Sequence, residues 1–241
     1  MQPNKYLYNM LQQPHLLIAG ATGAGKSVLI NHLVNIILHI PQAKMVLIDT
    51  KKVELYHLKY NPKTLVYTDT IGGTVQALRR VIDIMDRRFI VLRRQGLKKM
   101  ESDPLYIIID EFADLVLSGT KDITKMVIKI SQLGRAANIH LIVATQRPTA
   151  DVIDKKISVN LCARVCLRVA CAVDSRNVIG CKGGESLPSF GRAIYWIEGY
   201  TYNIEIPPPT PTQVHANPKK NDKSFIIILL IVALLFSMLL V

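Results

Sequence analysis

The sequence predicts an α/β fold in which a mainly parallel sheet carries helices on both faces. Two observations support this prediction: short apolar runs recur along the chain, and stretches with the 3.6-residue period of an amphipathic helix separate them. Parallel strands are buried on both faces and therefore read as continuous apolar runs, whereas antiparallel strands tend to alternate. A chain of 241 residues, 49% of them hydrophobic, is long enough for one such domain with a sizeable core.

The apolar runs define the predicted strands, and the periodic stretches define the predicted helices. We predict strands over residues 15–18, 45–48, 64–67, 105–109, 141–144, 165–169 and 193–196, and an edge strand over 202–206. We predict helices over residues 26–38, 74–92 and 123–137. The helix over 74–92 has the clearest pattern, because its apolar residues recur at spacings of three and four. Strands separated by helices favour a parallel sheet.

A glycine-rich stretch, GATGAGKS, connects the first predicted strand to the first predicted helix. It matches the pattern GxxxxGK[ST], whose glycines let backbone N–H groups point at phosphates while the amino end of the helix adds a favourable dipole. We therefore expect Lys26 to reach the β- and γ-phosphates of ATP and the Ser27 hydroxyl to bind Mg²⁺. The predicted ATP-binding residues are Gly20, Ala21, Thr22, Gly23, Ala24, Gly25, Lys26, Ser27 and Val28.

Two adjacent carboxylates, Asp110 and Glu111, follow an apolar predicted strand. The carboxyl ends of parallel strands meet at one edge of the sheet, so we expect this acid pair beside the glycine-rich loop. We predict that Asp110 binds Mg²⁺ through water and that Glu111 orients or deprotonates the attacking water. One acidic residue at a strand end is common in any fold, but an adjacent pair in a chain with this loop favours catalysis.

The stretch HLIVATQRP places Gln146 at the end of another buried predicted strand, where its amide can sense the γ-phosphate through a hydrogen bond. Arg135 lies earlier, at the end of the helix predicted over 123–137. A cation is stabilised at that position by the helix dipole alone. From the residues themselves, a structural role and a catalytic role for Arg135 both remain open.

These stretches together resemble the motor domain of the FtsK/SpoIIIE DNA translocases, which belong to a wider group with HerA and the conjugative coupling proteins. The resemblance runs from about Pro14 to Trp196. The matching stretches are PHLLIAGATGAGKS, LIDTKKVEL, DEFADL, GRAANIHLIVATQRP with DVI close behind, and VDSRNVI. DEFADL and IHLIVATQRP are far more specific to this family than the glycine-rich loop, which occurs in many nucleotide-binding proteins.

The resemblance implies a RecA-like ATPase that assembles as a ring, usually a hexamer, around double-stranded DNA without sequence preference. It assigns nucleotide binding to residues 20–27, Mg²⁺ to Ser27 and Asp110, and catalysis to Glu111 with Lys26. It also assigns Gln146 as the sensor of the γ-phosphate. Arg135 corresponds to an arginine finger that acts in the site of the neighbouring subunit. Because a winged-helix domain that reads orientation sequences is absent from the pattern, we expect no directional sequence recognition.

The last seventeen residues, 225–241, contain no charged side chain. A helix of this length, at about 1.5 Å per residue, nearly spans a hydrocarbon core of about 30 Å if the bilayer thins. A buried core helix is the alternative. We predict an ATPase domain over 1–206, a proline-rich and then basic linker over 207–224, and one transmembrane helix over 225–241. Lysines flank the helix on its amino side, which predicts a single-pass protein of the cell inner membrane with its ATPase domain in the cytoplasm. They are Lys219, Lys220 and Lys223.

The net charge of +12 favours an anionic partner such as DNA or acidic lipid, although a basic solvated surface gives the same composition. Opposite the apolar stripe of the helix predicted over 74–92, the sequence carries an arginine-rich face from Arg79 to Arg94. This face either binds along a DNA phosphate backbone or faces solvent or another subunit. Four cysteines lack the paired spacing of zinc sites, so we interpret Cys162 and Cys166 as small core residues in a reducing compartment.

Two classes of function follow. The first is a membrane-anchored, ATP-driven translocase of double-stranded DNA that serves transfer of a plasmid, another mobile element or a phage genome. The second is a nucleotide-switched membrane ATPase for assembly or export of protein cargo, like the assembly proteins of filamentous phages. The specificity of DEFADL and IHLIVATQRP favours the first.

Overall fold

A computed structural model of the chain describes residues 5–118 and 121–209. Seven helices and eight strands occur in these residues. The helices are α1 (Lys5–Gln12), α2 (Lys26–His39), α3 (Ile71–Gln95), α4 (Phe112–Leu117), α5 (Lys121–Leu133), α6 (Lys155–Ser158) and α7 (Ala172–Ile179). The strands are β1 (His15–Ala19), β2 (Lys44–Ile48), β3 (Thr64–Thr68), β4 (Leu105–Ile109), β5 (Ile139–Thr145), β6 (Ala163–Cys166), β7 (Arg192–Ile197) and β8 (Tyr200–Glu205).

All eight strands form one sheet in the order β3-β2-β4-β5-β1-β6-β7-β8. The first six strands in this order are parallel, and β7 and β8 continue the sheet antiparallel. The edge strand begins at Tyr200, two residues earlier than predicted. A two-residue turn over Glu198 and Gly199 sets this start, because both residues have positive φ, which matches the twist of a hairpin.

The sheet carries helices on both faces, as predicted. Successive residues of β1 point to opposite sides, with Leu17 in one buried cluster and Leu16 and Ile18 in the other. The first cluster packs α3 and α5 against the sheet, and the second packs α1 and α2 against it. Helix α2, which follows the glycine-rich stretch, and the long helix α3 therefore lie on opposite faces of the sheet.

Helix α1 was not predicted, because its apolar pattern covers only two turns. Its buried residues Leu7, Met10 and Leu11 follow the helical spacing of three and four and pack in the second cluster. The helices α4, α6 and α7 also lay outside the predicted elements. Each of these four helices has eight residues or fewer, and the predictions missed them because short helices depend on tertiary packing more than on their own sequence.

Two elements end three or more residues before their predicted last residue. Helix α5 ends at Leu133, four residues before the predicted end, because Gly134 approaches backbone closely and starts the turn that leads into β5. The strand predicted over 165–169 is β6, which ends at Cys166. Leu167 still donates its N–H to the Ala19 carbonyl, but the chain then leaves the sheet.

The long helix α3 bears the predicted apolar stripe, capped at its start by the Thr70 side chain, which accepts a hydrogen bond from the Gly73 N–H. One arginine of its basic face has a structural role. The Arg88 guanidinium donates to the carbonyl oxygens of Ala137, Asn138 and Asp103, which holds together the two segments that lead into β4 and β5. Five other arginines of the face are exposed: Arg79, Arg80, Arg87, Arg93 and Arg94.

No helix within residues 5–118 and 121–209 is both long and apolar enough to cross a membrane. The predicted transmembrane helix over 225–241 lies outside the described residues, as does the linker beyond residue 209. All four cysteines are free thiols, with Cys166 buried and Cys162 half-buried. Burial raises the pKa of the Cys166 thiol to about 12, which suits an inert core residue.

Candidate active site

The glycine-rich loop runs from the end of β1 to the start of α2, and two of its glycines adopt conformations that other residues avoid. Gly23 has φ 78° and Gly25, the residue before α2, has φ 95°. A Cβ atom on Gly20 would lie 2.7 Å from the Cβ of Leu167, so only glycine fits there. Backbone hydrogen bonds to Thr145 and Arg168 hold the loop between its two neighbouring strands.

Lys26, the first residue of α2, reaches the end of β4. Its side chain is buried, and its Nζ donates to the Asp110 carbonyl oxygen at 3.0 Å. Burial lowers the pKa of Lys26, and the nearby Glu111 carboxylate opposes this shift. The lysine therefore lies at the point where the loop and the acid pair meet, as the sequence predicted.

Asp110 is buried at the carboxyl end of β4, with its two oxygens in different environments. Oδ1 accepts from the Thr50 N–H at 2.9 Å and from the Thr50 hydroxyl at 3.2 Å. Oδ2 is buried and has no hydrogen-bond partner among the described residues. Burial raises the pKa of Asp110 to about 6. Because a buried acceptor without a donor is costly, this oxygen fits a bound cation, and the Ser27 hydroxyl at the start of α2 is of the oxygen type that would hold Mg²⁺ with it.

Glu111 is also buried, and three donors surround its carboxylate. The Thr145 hydroxyl donates to Oε1 at 2.7 Å, and the Gln146 N–H lies 3.0 Å from Oε1 and 3.1 Å from Oε2. Lys51 forms an ion pair with Oε2 at 3.4 Å. These contacts fix the orientation of the carboxylate at the end of β4, next to the end of β5.

Gln146 connects the glycine-rich loop to the acid pair. Its backbone N–H binds Glu111, and its side-chain Oε1 accepts a hydrogen bond from the Thr22 hydroxyl at 2.9 Å. A change at the loop on nucleotide binding can therefore reach the Glu111 carboxylate through one residue. The structure thus brings together Lys26, Asp110, Glu111 and Gln146, all of which the sequence singled out.

Arg135 lies elsewhere. It is exposed in the turn between α5 and β5, at the amino end of β5, whereas Gln146 follows the carboxyl end. The seven residues of β5 span about 20 Å, so Arg135 does not reach the glycine-rich loop of its own chain. It lines a separate cavity of 380 Å³ together with Phe89, Lys98, Lys99, Gln132, Leu133 and Ala136.

The predictions missed two residues of the site, Thr50 and Lys51. Both follow β2, whose carboxyl end is next to that of β4, and they bind Asp110 and Glu111 respectively. A usable signal was present in the sequence, because polar residues directly after a buried parallel strand lie at the ligand-binding edge of the sheet.

The fold and the geometry of this edge define a P-loop ATPase domain. A loop suited to phosphates, a buried lysine and a strand-end acid pair meet where α/β sheets bind ligands. The profile of the FtsK/SpoIIIE family matches residues 2–104 and 99–150, and the chain therefore belongs to this family.

Individual relatives agree with this assignment. The chain is 39% identical over 209 residues to the DNA translocase FtsK of Borreliella burgdorferi, covering 78% of this chain and 26% of the relative. It is 35% identical over 213 residues to the DNA translocase SpoIIIE of Bacillus subtilis, covering 78% of this chain and 27% of the relative. The chain thus spans about a quarter of the length of these curated relatives.

Solved structures share the fold. The monomer form of the pCW3 conjugation coupling protein TcpA with ATPγS has a TM-score of 0.73 and 26% identity, over 81% of this chain and 60% of that one. The cytoplasmic domain of the Type VII secretion ATPase EccC of Thermomonospora curvata has a TM-score of 0.65 and 26% identity, over 80% of this chain and 25% of that one.

Proposed function

We propose that the chain hydrolyses ATP at the carboxyl edge of its sheet. One observation carries the proposal: Lys26, Asp110, Glu111 and Gln146 come from distant parts of the sequence and form one hydrogen-bonded group beside the glycine-rich loop. The family also includes DNA translocases, and the coupling protein of similar fold was solved with ATPγS.

Each residue has a defined task in the proposed reaction. The loop N–H groups and the Lys26 ammonium bind the phosphate oxygens. Ser27 and Asp110 would hold Mg²⁺, which would supply positive charge to the phosphates. Glu111 orients the attacking water and accepts its proton, while Thr145 and the Gln146 N–H keep the carboxylate aimed. The Gln146 amide senses the γ-phosphate through its link to Thr22.

Arg135 is proposed to act in the site of a neighbouring subunit. Its exposure and its distance from the glycine-rich loop of its own chain favour a role in trans over a role in cis. In a RecA-like ring, which we propose to be a homo-hexamer, such an arginine neutralises the transition-state charge only after assembly. Lys98 and Lys99 beside it add positive charge to the same surface.

The work of hydrolysis is proposed to move double-stranded DNA without sequence preference. The names of the FtsK and SpoIIIE relatives, the coupling protein of a conjugative plasmid among the similar structures, and the net charge of +12 all support DNA as the substrate. We further propose that residues 225–241 anchor the protein in the cell inner membrane with the ATPase domain in the cytoplasm, so that DNA is moved toward or through a membrane pore.

A second candidate is export of a protein, and one observation favours it. The secretion ATPase EccC is as similar in sequence as the conjugation coupling protein, with 26% identity to each. In that case the same ATP site would drive a protein substrate, and a polyanion would have no effect on turnover.

The distinguishing experiment measures ATP turnover by the full chain in detergent, with Mg²⁺, in the presence and absence of linear duplex DNA. We expect DNA of several sequences to stimulate phosphate release several-fold, and the stimulation to weaken as salt increases. Glu111→Gln, which removes the proposed base but keeps the size of the side chain, is the control for contaminating ATPases. If ATP turnover is the same with and without DNA of every sequence tested, translocation of DNA is excluded and export of a protein is the remaining candidate function.

A further inference from the structure

A second lysine at the carboxyl edge of the sheet has no task in the proposed reaction. Lys51, which follows β2, forms an ion pair with Glu111, and its Nζ lies 3.4 Å from Oε2. The Lys51 side chain is 29% exposed, whereas that of Glu111 is 4% exposed. Because only the lysine has appreciable access to solvent, the ion pair lies where the buried carboxylate meets the open part of the site.

The tight turn after β2 fixes the backbone of Lys51. The Lys52 N–H donates to the Asp49 carbonyl oxygen at 3.0 Å and closes the turn. Lys52 has φ 64°, a conformation that residues other than glycine rarely adopt and that occurs mainly at functional sites. Thr50, in the same turn, donates to Asp110. One turn therefore contacts both members of the acid pair and gives the Lys51 side chain a fixed starting point.

The Glu111 carboxylate has no acceptor position to spare in this arrangement. Oε1 accepts from the Thr145 hydroxyl and the Gln146 N–H, and Oε2 accepts from the Gln146 N–H and from Lys51. These four contacts match the about four acceptor positions of a carboxylate. For Glu111 to accept a proton from the attacking water, one of the contacts has to break.

The contact with Lys51 is the one that breaks most easily. At 3.4 Å it is longer than the other three, which lie between 2.7 and 3.1 Å. Thr145 is fully buried, and the donor of Gln146 is its backbone N–H, so neither moves without moving the end of β5. The Lys51 ammonium, by contrast, ends a flexible four-carbon chain and can change its partner.

The phosphate site offers Lys51 another partner. Burial lowers the pKa of Lys26, the Glu111 carboxylate opposes this shift, and repulsion from the Lys51 ammonium adds to it, so the two ammonium groups are near each other. The terminal phosphate of a triphosphate bound by Lys26 would lie beside Glu111 and therefore within reach of Lys51. A phosphate group carries more negative charge than a carboxylate and competes well for the ammonium.

We propose that Lys51 exchanges Glu111 for the γ-phosphate when ATP binds. Its Nζ moves from Oε2 of the glutamate to an oxygen of the γ-phosphate, and the acceptor position that it leaves becomes available to the attacking water. The proposal rests on the proposed function, because it takes ATP to be bound and hydrolysed at this edge of the sheet. It makes activation of Glu111 depend on the γ-phosphate, so ADP leaves the ion pair intact.

The test compares two ligands that differ at the γ-phosphate. Binding of ATPγS and of ADP to the full chain is measured by calorimetry in detergent with Mg²⁺. Lys51→Met removes the charge but keeps a long unbranched side chain. A hydrogen bond between charged groups contributes enough that its loss weakens binding about tenfold. We therefore expect Lys51→Met to raise the ATPγS Kd by about that factor and to leave the ADP Kd unchanged.

Lys52→Met is the matched control, because Lys52 is the next residue of the same turn and is exposed. Its substitution is expected to change neither Kd. Equal weakening of both ligands by Lys51→Met would mean that the lysine only supports the shape of the site, and an unchanged ATPγS Kd would mean that it stays with Glu111. Either result overturns the proposal. If the wild type binds neither ligand, the proposed function itself fails.

Discussion

The carboxyl edge of the parallel sheet gathers its functional side chains into a buried, hydrogen-bonded group, whereas the amino edge leaves its charged side chains exposed. Lys26 and Glu111 are 4% and 3% exposed at the first edge. Arg135 is exposed at the second, beside a cavity that Lys98 and Lys99 also line. One chain thus gathers its phosphate-site residues at the carboxyl edge, whereas the cations of the amino edge face outward, as our proposal that Arg135 acts in a neighbouring site requires.

The largest expected effect is at the carboxyl edge. Lys26→Ala removes the ammonium group that contacts the end of β4 and that we propose to bind the phosphates, so we expect ATP turnover to be abolished. Phosphate release by the full chain measures this, and membrane insertion of the variant is expected to remain intact. Lys125→Ala is the control, since Lys125 is 76% exposed on α5 and its loss is expected to leave turnover intact. Turnover that survives Lys26→Ala would contradict the assignment of the loop.

The next effect concerns the amino edge. Arg135→Ala is expected to lower turnover by about 1,000-fold in the assembled protein while leaving ATP binding unchanged, because we propose that the arginine acts on the transition state in a neighbouring site. Glu111→Gln is expected to abolish turnover at its own site. A mixture of the two variants contains sites with an intact Glu111 next to an intact Arg135, so phosphate release is expected to recover in part.

Each variant alone, at the total concentration of the mixture, is the control for this recovery. Absence of recovery at every mixing ratio would mean that Arg135 and Glu111 do not act across a subunit boundary. In that case the exposed cations of the amino edge would have another role, and the contrast between the two edges would no longer describe two halves of one composite site.

The carboxyl edge was also the easier edge to predict from the sequence. The loop, Asp110 and Glu111 occur in local patterns whose spacing follows from the chemistry of phosphate and metal binding, and the structure brings them together as expected. Thr50 and Lys51 were not predicted, because their contacts with the acid pair arise from the pairing of β2 with β4. Each of these two residues is 60 positions away in the sequence from the carboxylate that it contacts. Such contacts depend on strand order, which no local pattern encodes.

At the amino edge the prediction failed on a boundary. The helix before Arg135 was expected to continue to residue 137 but ends at Leu133, because Gly134 approaches the Ile130 and Ile139 carbonyl oxygens too closely for any side chain. Arg135 therefore lies in the turn after the helix, two residues beyond its last residue. Helical periodicity continues through the glycine, so the sequence pattern alone could not locate this end.

The smallest expected effect tests the packing beneath this turn. His15, the first residue of β1, is 2% exposed, and its Nδ1 accepts the Leu141 N–H at 3.1 Å. A Cβ on Gly134 would lie 3.2 Å from the His15 ring, so the turn that contains Arg135 packs against this histidine. Burial, and secondarily repulsion from His140, lowers the pKa of His15 to about 3.

This pKa predicts a loss of stability in mild acid. Below the unfolded pKa of 6.5, the unfolded chain takes up a proton that the folded His15 rejects, so the free energy of unfolding falls as the pH decreases from 6.5 toward 3. At pH 5.5 the loss from this residue is about 1.4 kcal/mol.

His15→Asn keeps an acceptor for the Leu141 N–H but cannot titrate. Urea unfolding measures how much the free energy of unfolding decreases between pH 7.5 and pH 5.5. We expect this decrease to be about 1.4 kcal/mol smaller in the variant than in the wild type, with His140 contributing equally to both proteins. An identical loss in both proteins would mean that the turn opens to solvent in mild acid and that the amino edge is less firmly packed than its buried histidine indicates.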